Sequence, residues 1–223
     1  MNLYTKCYYN RYRNFDYTRL VNIMMEDLKL TQNAGLIIDI GCGIGRLTRK
    51  FKPCSKAVVG LDISLDAVKI ADSHISGVFF IAGNALSLPV KDKMCDICIC
   101  THVIEHVRDY SLLLKEICRV TADGGKVIFI TPNKKWAKFS LPFLKDKTHV
   151  KEFTIDELKK AVSAYFSVEK IKPVSMFTSF SFLNPILNTF FKPDIYISAV
   201  KRSDTISQAL AGFRKDGSAS SPP

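Results

Sequence analysis

Three groups of residues in this 223-residue chain could do chemistry: a glycine-rich turn, two aspartates near it, and a set of histidines with one glutamate. The run DIGCGIGR, Asp39 to Arg46, follows the apolar stretch Leu36, Ile37 and Ile38. Gly41, Gly43 and Gly45 let the backbone turn tightly and approach a ligand with no Cβ in the way. A helix opening beyond them would point its N–H groups at that ligand. This pattern predicts a site for a phosphate-bearing or nucleoside-bearing molecule. A dinucleotide site asks for G-x-G-x-x-G, but the spacing here is G-x-G-x-G, with Arg46 in place of the third glycine. No G-K-[ST] follows, so a triphosphatase loop is absent.

Asp62 sits at the tip of a second apolar run, about 20 residues beyond the first glycine, where a carboxylate can accept both ribose hydroxyls. Together these features suit either a dinucleotide or S-adenosylmethionine. The four histidines are His74, His102, His106 and His149. Histidine is the natural base near neutral pH, and His102 and His149 are the catalytic candidates. His74 falls late in a predicted helix and reads as surface. As a metal trio, His102, Glu105 and His106 lack a fourth protein ligand, and their near-adjacent spacing does not share one helix face, so no metal is expected.

These residues need elements to hold them. Residues 36–40 read as a strand covered on both faces, with Asp39 near its end and a helix after the glycines. Residues 56–62 form the second strand, and Ser64 caps a helix carrying Leu65, Val68 and Ile70. Residues 78–82 make the third strand and residues 96–100 the fourth. Asp109 caps a helix with Leu112, Leu113, Ile117 and Val120 on its apolar face, ended by Asp123, Gly124 and Gly125 before a fifth strand over 126–131. Thr154 opens another helix with Asp156 and Glu157 in its first turn. Residues 166–171 and 195–200 read as closing strands. The predicted fold is α/β, Rossmann-like: a mostly parallel seven-stranded sheet with an antiparallel edge strand between helical layers.

The expected organisation is a single domain over 1–202 followed by a flexible tail over 203–223. An N-terminal stretch over 1–35 contains tyrosines, arginines and a helix from about Thr18 to Leu30, which is either packed on the sheet or a lid. Insertions at 132–153 and 176–192 lie on the substrate side, the second apolar but too interrupted for a membrane span. The seven cysteines include Cys95, Cys98 and Cys100 in a strand-like run. An odd total without a secretory signal predicts core thiols in a reducing cytoplasm. A net charge of +11 permits peripheral contact with RNA or an anionic membrane, though charged residues at 24% are ordinary and no compact basic block occurs.

Taken together, DIGCGIGR, the GLDIS run from Gly60 to Ser64, the turn from Gly83 to Pro89, the run from Asp96 to His106 and the stretch from Leu113 to Gly125 leading to Thr131, Pro132 and Asn133 resemble the class I S-adenosylmethionine-dependent methyltransferases. The likeness is to the small-molecule group that includes ubiquinone-biosynthesis enzymes, and it covers about residues 36–170. It implies that Asp39, Gly41, Cys42, Gly43 and Gly45 surround the methionine part of the donor. Asp62 would bind the ribose hydroxyls, and Ile63 one adenine face. Asn84 and Ala85 would meet the adenine edge and ring, where many relatives carry aspartate in place of Asn84. Thr101 and His102 would border the sulfonium and the acceptor.

The implied function is methyl transfer from S-adenosylmethionine to an oxygen or nitrogen of a small or medium-sized, possibly apolar acceptor, with no metal required. An RNA or protein methyltransferase is the rival enzyme, against which stands the absence of an appended RNA-binding module or an N-P-P-Y signature after the fourth strand. An inactive methyltransferase-fold interaction protein is the rival outside catalysis, and a dehydrogenase is more distant.

Overall fold

The computed structural model describes residues 17–30, 34–137, 148–174 and 194–202. Seven strands form one sheet: β1 (Ala34–Ile40), β2 (Ser55–Asp62), β3 (Phe79–Ala82), β4 (Cys95–Thr101), β5 (Thr121–Pro132), β6 (Ser167–Val174) and β7 (Asp194–Val200), in the order β3-β2-β1-β4-β5-β7-β6. The five strands from β3 to β5 pair in parallel, and β7 runs antiparallel to both β5 and β6. The antiparallel strand is thus one place in from the border, with β6 outermost. The helices are α1 (Thr18–Leu28), α2 (Leu65–His74), α3 (Tyr110–Val120), the single turn α4 (Lys134–Ala137) and α5 (Ile155–Ser163).

Strand alternation divides the core into two layers. Ile37, Ile97, Ile99, Ile128, Ile130 and Tyr196 face one side, with Leu20, Met24 and Leu28 of α1 packed on them. Ile38, Ile40, Cys98, Cys100, Val127 and Phe129 face the other, under α3 and α5. The alternating isoleucines and cysteines of β4 therefore fill both layers. The six described cysteines, Cys42, Cys54, Cys95, Cys98, Cys100 and Cys118, are buried free thiols, as expected of core residues.

The N-terminal helix α1 packs on the sheet. Buried Asp27 fixes it to the sheet by accepting from Lys170 Nζ at 2.6 Å and Lys172 Nζ at 2.7 Å. The N-terminal aromatic and basic stretch, the apolar insertion at 176–192 and the tail fall outside the described residues.

Two predicted elements differ from the structure. The helix expected after the glycine turn is a 3₁₀ segment, Thr48–Cys54, because Pro53 lacks an N–H, disfavours α geometry at Lys52 and sits where the chain must already enter β2. The helix expected to end at Asp123 to Gly125 ends at Val120. Thr121 already has extended backbone, and those three residues belong to β5. Three caps are present as predicted: Ser64 on α2, Asp109 on α3, and a full capping box between Thr154 and Glu157 on α5.

No described helix is long and apolar enough to cross a membrane.

Candidate functional site

Parallel strands present their carboxyl ends together, so β3, β2, β1 and β4 deliver the site residues to one edge of the sheet. At the end of β1 the chain turns through Gly41, Gly43 and Gly45, all with positive φ. A Cβ on Gly41 would collide with the Val103 side chain, and one on Gly45 would meet Phe80 and Ile75. Both positions thus need glycine for conformation and for space.

Four N–H groups of this loop are engaged internally. Gly41 and Cys42 both donate to the Leu61 carbonyl, at 2.7 and 3.0 Å, and Gly45 donates to the Cys42 carbonyl at 3.0 Å. Gly43 N–H donates to Asp62 Oδ2 at 2.7 Å. A phosphate would find these donors taken, and the 3₁₀ segment that follows supplies no α-helical N-terminus in their place.

The loop is instead bordered by acid. Asp39 is buried and accepts from Thr48 Oγ1 at 2.6 Å. Burial pushes its carboxyl up to about 7, opposed by the Thr48 hydrogen bond and assisted by the charge of Asp62. Asp62 accepts the Ser64 N–H on Oδ1 at 2.8 Å in addition to Gly43 on Oδ2. Burial is also the main influence on Cys42, raising its thiol well above the ordinary range, so it stays protonated beside these carboxylates. The resulting environment favours a cation over an anion.

Neighbouring strand exits extend this edge. Gly83 N–H donates to the Asp62 carbonyl at 2.9 Å and brings the turn of Asn84 and Ala85 alongside. Asn84 is exposed, and its Oδ1 accepts the Leu86 N–H at 2.9 Å. Ile63 is 66% exposed beside Asp62, an apolar surface that a flat ring can cover. At the end of β4, Thr101 Oγ1 is buried without a hydrogen-bond partner. An exposed isoleucine and an orphaned hydroxyl at the same edge are what a bound ligand would cover and satisfy.

On the far side of β4 the chain builds a second cluster. His102 adopts a left-handed conformation, φ 54°, of the kind that costs about 1 kcal/mol and gathers at functional positions. Its Nδ1 lies 3.1 Å from Glu105 Oε1 and its Nε2 3.8 Å from Asp194 Oδ1. Burial opposes charge on this ring, but the Glu105 hydrogen bond and the fields of Asp194 and Glu105 outweigh it and raise its pKa to about 9. Glu105 is fully buried, and burial would raise its pKa, yet His102 and His106 together hold it below the ordinary value. Its second oxygen accepts from Thr131 Oγ1 at 2.9 Å. His106 and His149 stand edge to face with ring centroids 4.9 Å apart.

The structure therefore gathers Asp39, Gly41, Cys42, Gly43, Gly45, Asp62, Ile63, Asn84, Ala85 and Thr101 along one edge. It sets His102 beside Glu105, and His149 against His106 rather than alone. Sequence reading passed over Thr148 and Asp194 and named Thr131 only within a family motif; Thr131 and Asp194 reach this cluster from β5 and β7, and Thr148 from the turn ahead of α5. The trio of His102, Glu105 and His106, set aside in the sequence as a metal site, is split in the structure: His102 turns to two carboxylates, while His149 lies with the other two residues.

Known proteins are similar to this chain in sequence and in fold. Residues 38–129 match the family model described as a methyltransferase domain. A malonyl-[acyl-carrier protein] O-methyltransferase of Pseudescherichia vulneris is 29% identical over 148 residues, 63% of this chain and 57% of that protein. YcgJ of Bacillus subtilis, named as an uncharacterised methyltransferase, is 28% identical over 139 residues, 57% of this chain and 55% of its own. Among solved structures, a Pyrococcus horikoshii protein superposes with a TM-score of 0.67 at 20% identity, covering 91% of this chain and 94% of that one. The fold is the class I methyltransferase fold, and the sequence match to a methyltransferase domain lies within it, over residues 38–129. The chain spans about half the length of the curated relatives it matches.

Proposed function

We propose that this protein binds S-adenosylmethionine along the β3-β2-β1-β4 edge and transfers its methyl group to an oxygen or nitrogen of a small or medium-sized acceptor. The observation that carries this reading is the pairing of two carboxylates, Asp39 and Asp62, with a glycine loop whose N–H donors are already engaged. That surroundings set suits a cationic, ribose-bearing donor and offers little to a pyrophosphate. Asp39 and the turn from Gly41 to Gly45 would meet the methionine end. Asp62 would accept the ribose hydroxyls through its remaining lone pairs. Ile63, Asn84 and Ala85 would take the adenine, and Thr101 Oγ1 would gain the partner it lacks.

The donor supplies an already activated methyl group, which leaves alignment and exclusion of water to the protein. On the acceptor side His102 is held as an imidazolium between Glu105 and Asp194. In that state it is suited to fixing an anionic oxygen rather than removing a proton. The named reaction of the P. vulneris relative, O-methyl transfer to a malonyl group, is of this oxygen-acceptor kind. His149, beside His106, is the second catalytic candidate on this side. A cytoplasmic setting and a small-molecule partner fit this reading.

Calorimetric titration with S-adenosylmethionine, paired with a methyl-transfer screen over metabolite, lipid and RNA fractions, tests it. Asp62→Ala should weaken donor binding at least about tenfold, because the ribose hydroxyls lose a charged acceptor. Wild-type affinity in that variant would refute the ribose assignment, and absence of donor binding in the parent protein would refute the function.

A further inference from the structure

The exit of β4 and the segment between α4 and α5 bring together ligand-type side chains from distant parts of the sequence. Glu105 is fully buried. His106 Nδ1 meets Thr148 Oγ1 at 2.9 Å and the Thr148 carbonyl at 3.2 Å. His149 Nδ1 lies 4.0 Å from Glu152 Oε1, and only 18% of its side chain is exposed. One ligand-type atom from each of Glu105, His106 and His149 falls in a set whose members all lie within 4.8 Å of one another.

We propose that Glu105, His106 and His149 form a binding site for a divalent transition-metal ion of borderline softness, with zinc as the best match. Two imidazoles and one carboxylate suit such an ion, whereas magnesium and calcium favour oxygen ligands throughout. Around a tetrahedral ion with bonds of ~2.1 Å the ligand atoms stand ~3.4 Å apart. The cluster would contract by roughly 1 Å, within reach of small rotations of the two rings.

Two further arrangements favour an ion over plain packing. Ligating histidines characteristically donate their other ring nitrogen to a carbonyl or carboxylate, which aims the ligating one. Thr148 engages Nδ1 of His106 in this way, and Glu152 stands beside Nδ1 of His149. In addition, Val150 and Lys151 N–H groups donate to the Glu105 carbonyl at 2.8 and 3.1 Å. The residue bearing the carboxylate thereby anchors the segment bearing the second imidazole, so distant parts of the chain are already assembled. Three protein ligands leave a coordination position for water or an acceptor oxygen. The site needs nothing from the methyl donor and holds or fails independently of the proposed reaction.

The test uses the full chain, stripped of metal by chelator dialysis and titrated with zinc by calorimetry and with cobalt by visible absorption. One ion per chain is expected, with cobalt bands of a nitrogen and oxygen site. Affinity should fall at least about tenfold in both His106→Ala and His149→Ala. Should an alanine variant unfold, His149→Phe keeps an aromatic ring against His106 and must show the same loss. Absence of saturable binding, unchanged affinity in the folded variants, or thiolate-to-cobalt charge transfer assigning the ion to cysteines would each overturn the proposal.

Discussion

The two sides of β4 are built in opposite ways. On the donor side, each contact joins residues close in sequence or on adjacent strands: Thr48 to Asp39, Gly43 to Asp62, and Gly83 to the Asp62 carbonyl. Across β4, Glu105 is linked to His102 on its own turn, to Thr131 at the end of β5, and through its carbonyl to Val150 and Lys151. Asp194 enters from β7. The proposed donor site is thus a property of a local strand and turn frame, while the second cluster depends on the whole sheet having closed. Under the proposed assignment, substrate chemistry can vary with a constant donor, because only the second cluster must change.

The strongest challenge to this division is Glu105→Ala. It leaves the His102 imidazolium without its nearest carboxylate and Thr131 Oγ1 without an acceptor, inside a packed core. A loss of about 3–4 kcal/mol in urea unfolding is expected. In the protein that remains folded, donor affinity should stay within about threefold of the parent, as expected for separable sites. A collapse of donor binding in the folded variant would show that the two sides are not independent.

Asp39 sharpens the donor half. Its folded pKa of about 7 lies above the ~3.9 of an unfolded aspartate, so the folded state holds the proton more tightly. The stability this contributes is present at low pH and is lost as pH rises through 7. Asn cannot titrate but can still accept from Thr48. Relative to the parent, Asp39→Asn should gain roughly 2–3 kcal/mol between pH 5 and pH 8, measured by unfolding at both pH values. Donor affinity of the parent should rise over the same range, because a cationic ligand favours the ionised carboxylate. Parallel pH profiles for parent and variant would show that Asp39 is not held in its protonated form.

The same contrast explains what could be read from sequence. The strand ends, the glycine turn, Asp62 and the three helix caps depend on neighbours a few residues away, and their spacing reveals them. The 3₁₀ segment was missed because the tight return into β2 with Pro53 overrode the expectation of a helix after a glycine turn. Thr131 was legible only as part of a strand-exit motif, and Asp194 gave no signal, since an aspartate opening a strand has ordinary roles elsewhere. His149 drew notice as a catalytic candidate, not as a neighbour of His106. Its partnership with His106 comes from backbone bonds to Glu105 that no periodicity encodes.

The finest test lies at Asn84, where the resemblance led to an expectation of aspartate. Its Oδ1 accepts the Leu86 N–H, a contact that a carboxylate oxygen reproduces, and the side chain is exposed, so solvent screens an added charge. Asn84→Asp should therefore leave stability within about 0.5 kcal/mol and tighten donor binding by no more than about fivefold through a stronger acceptor for the adenine amine. Calorimetric titration of the two proteins reads the difference directly. A much larger gain would mean that this turn, rather than the acids around the glycine loop, limits donor affinity. A loss would place the adenine away from Asn84 and shift the donor-side assignment toward Ile63 and the strand exits alone.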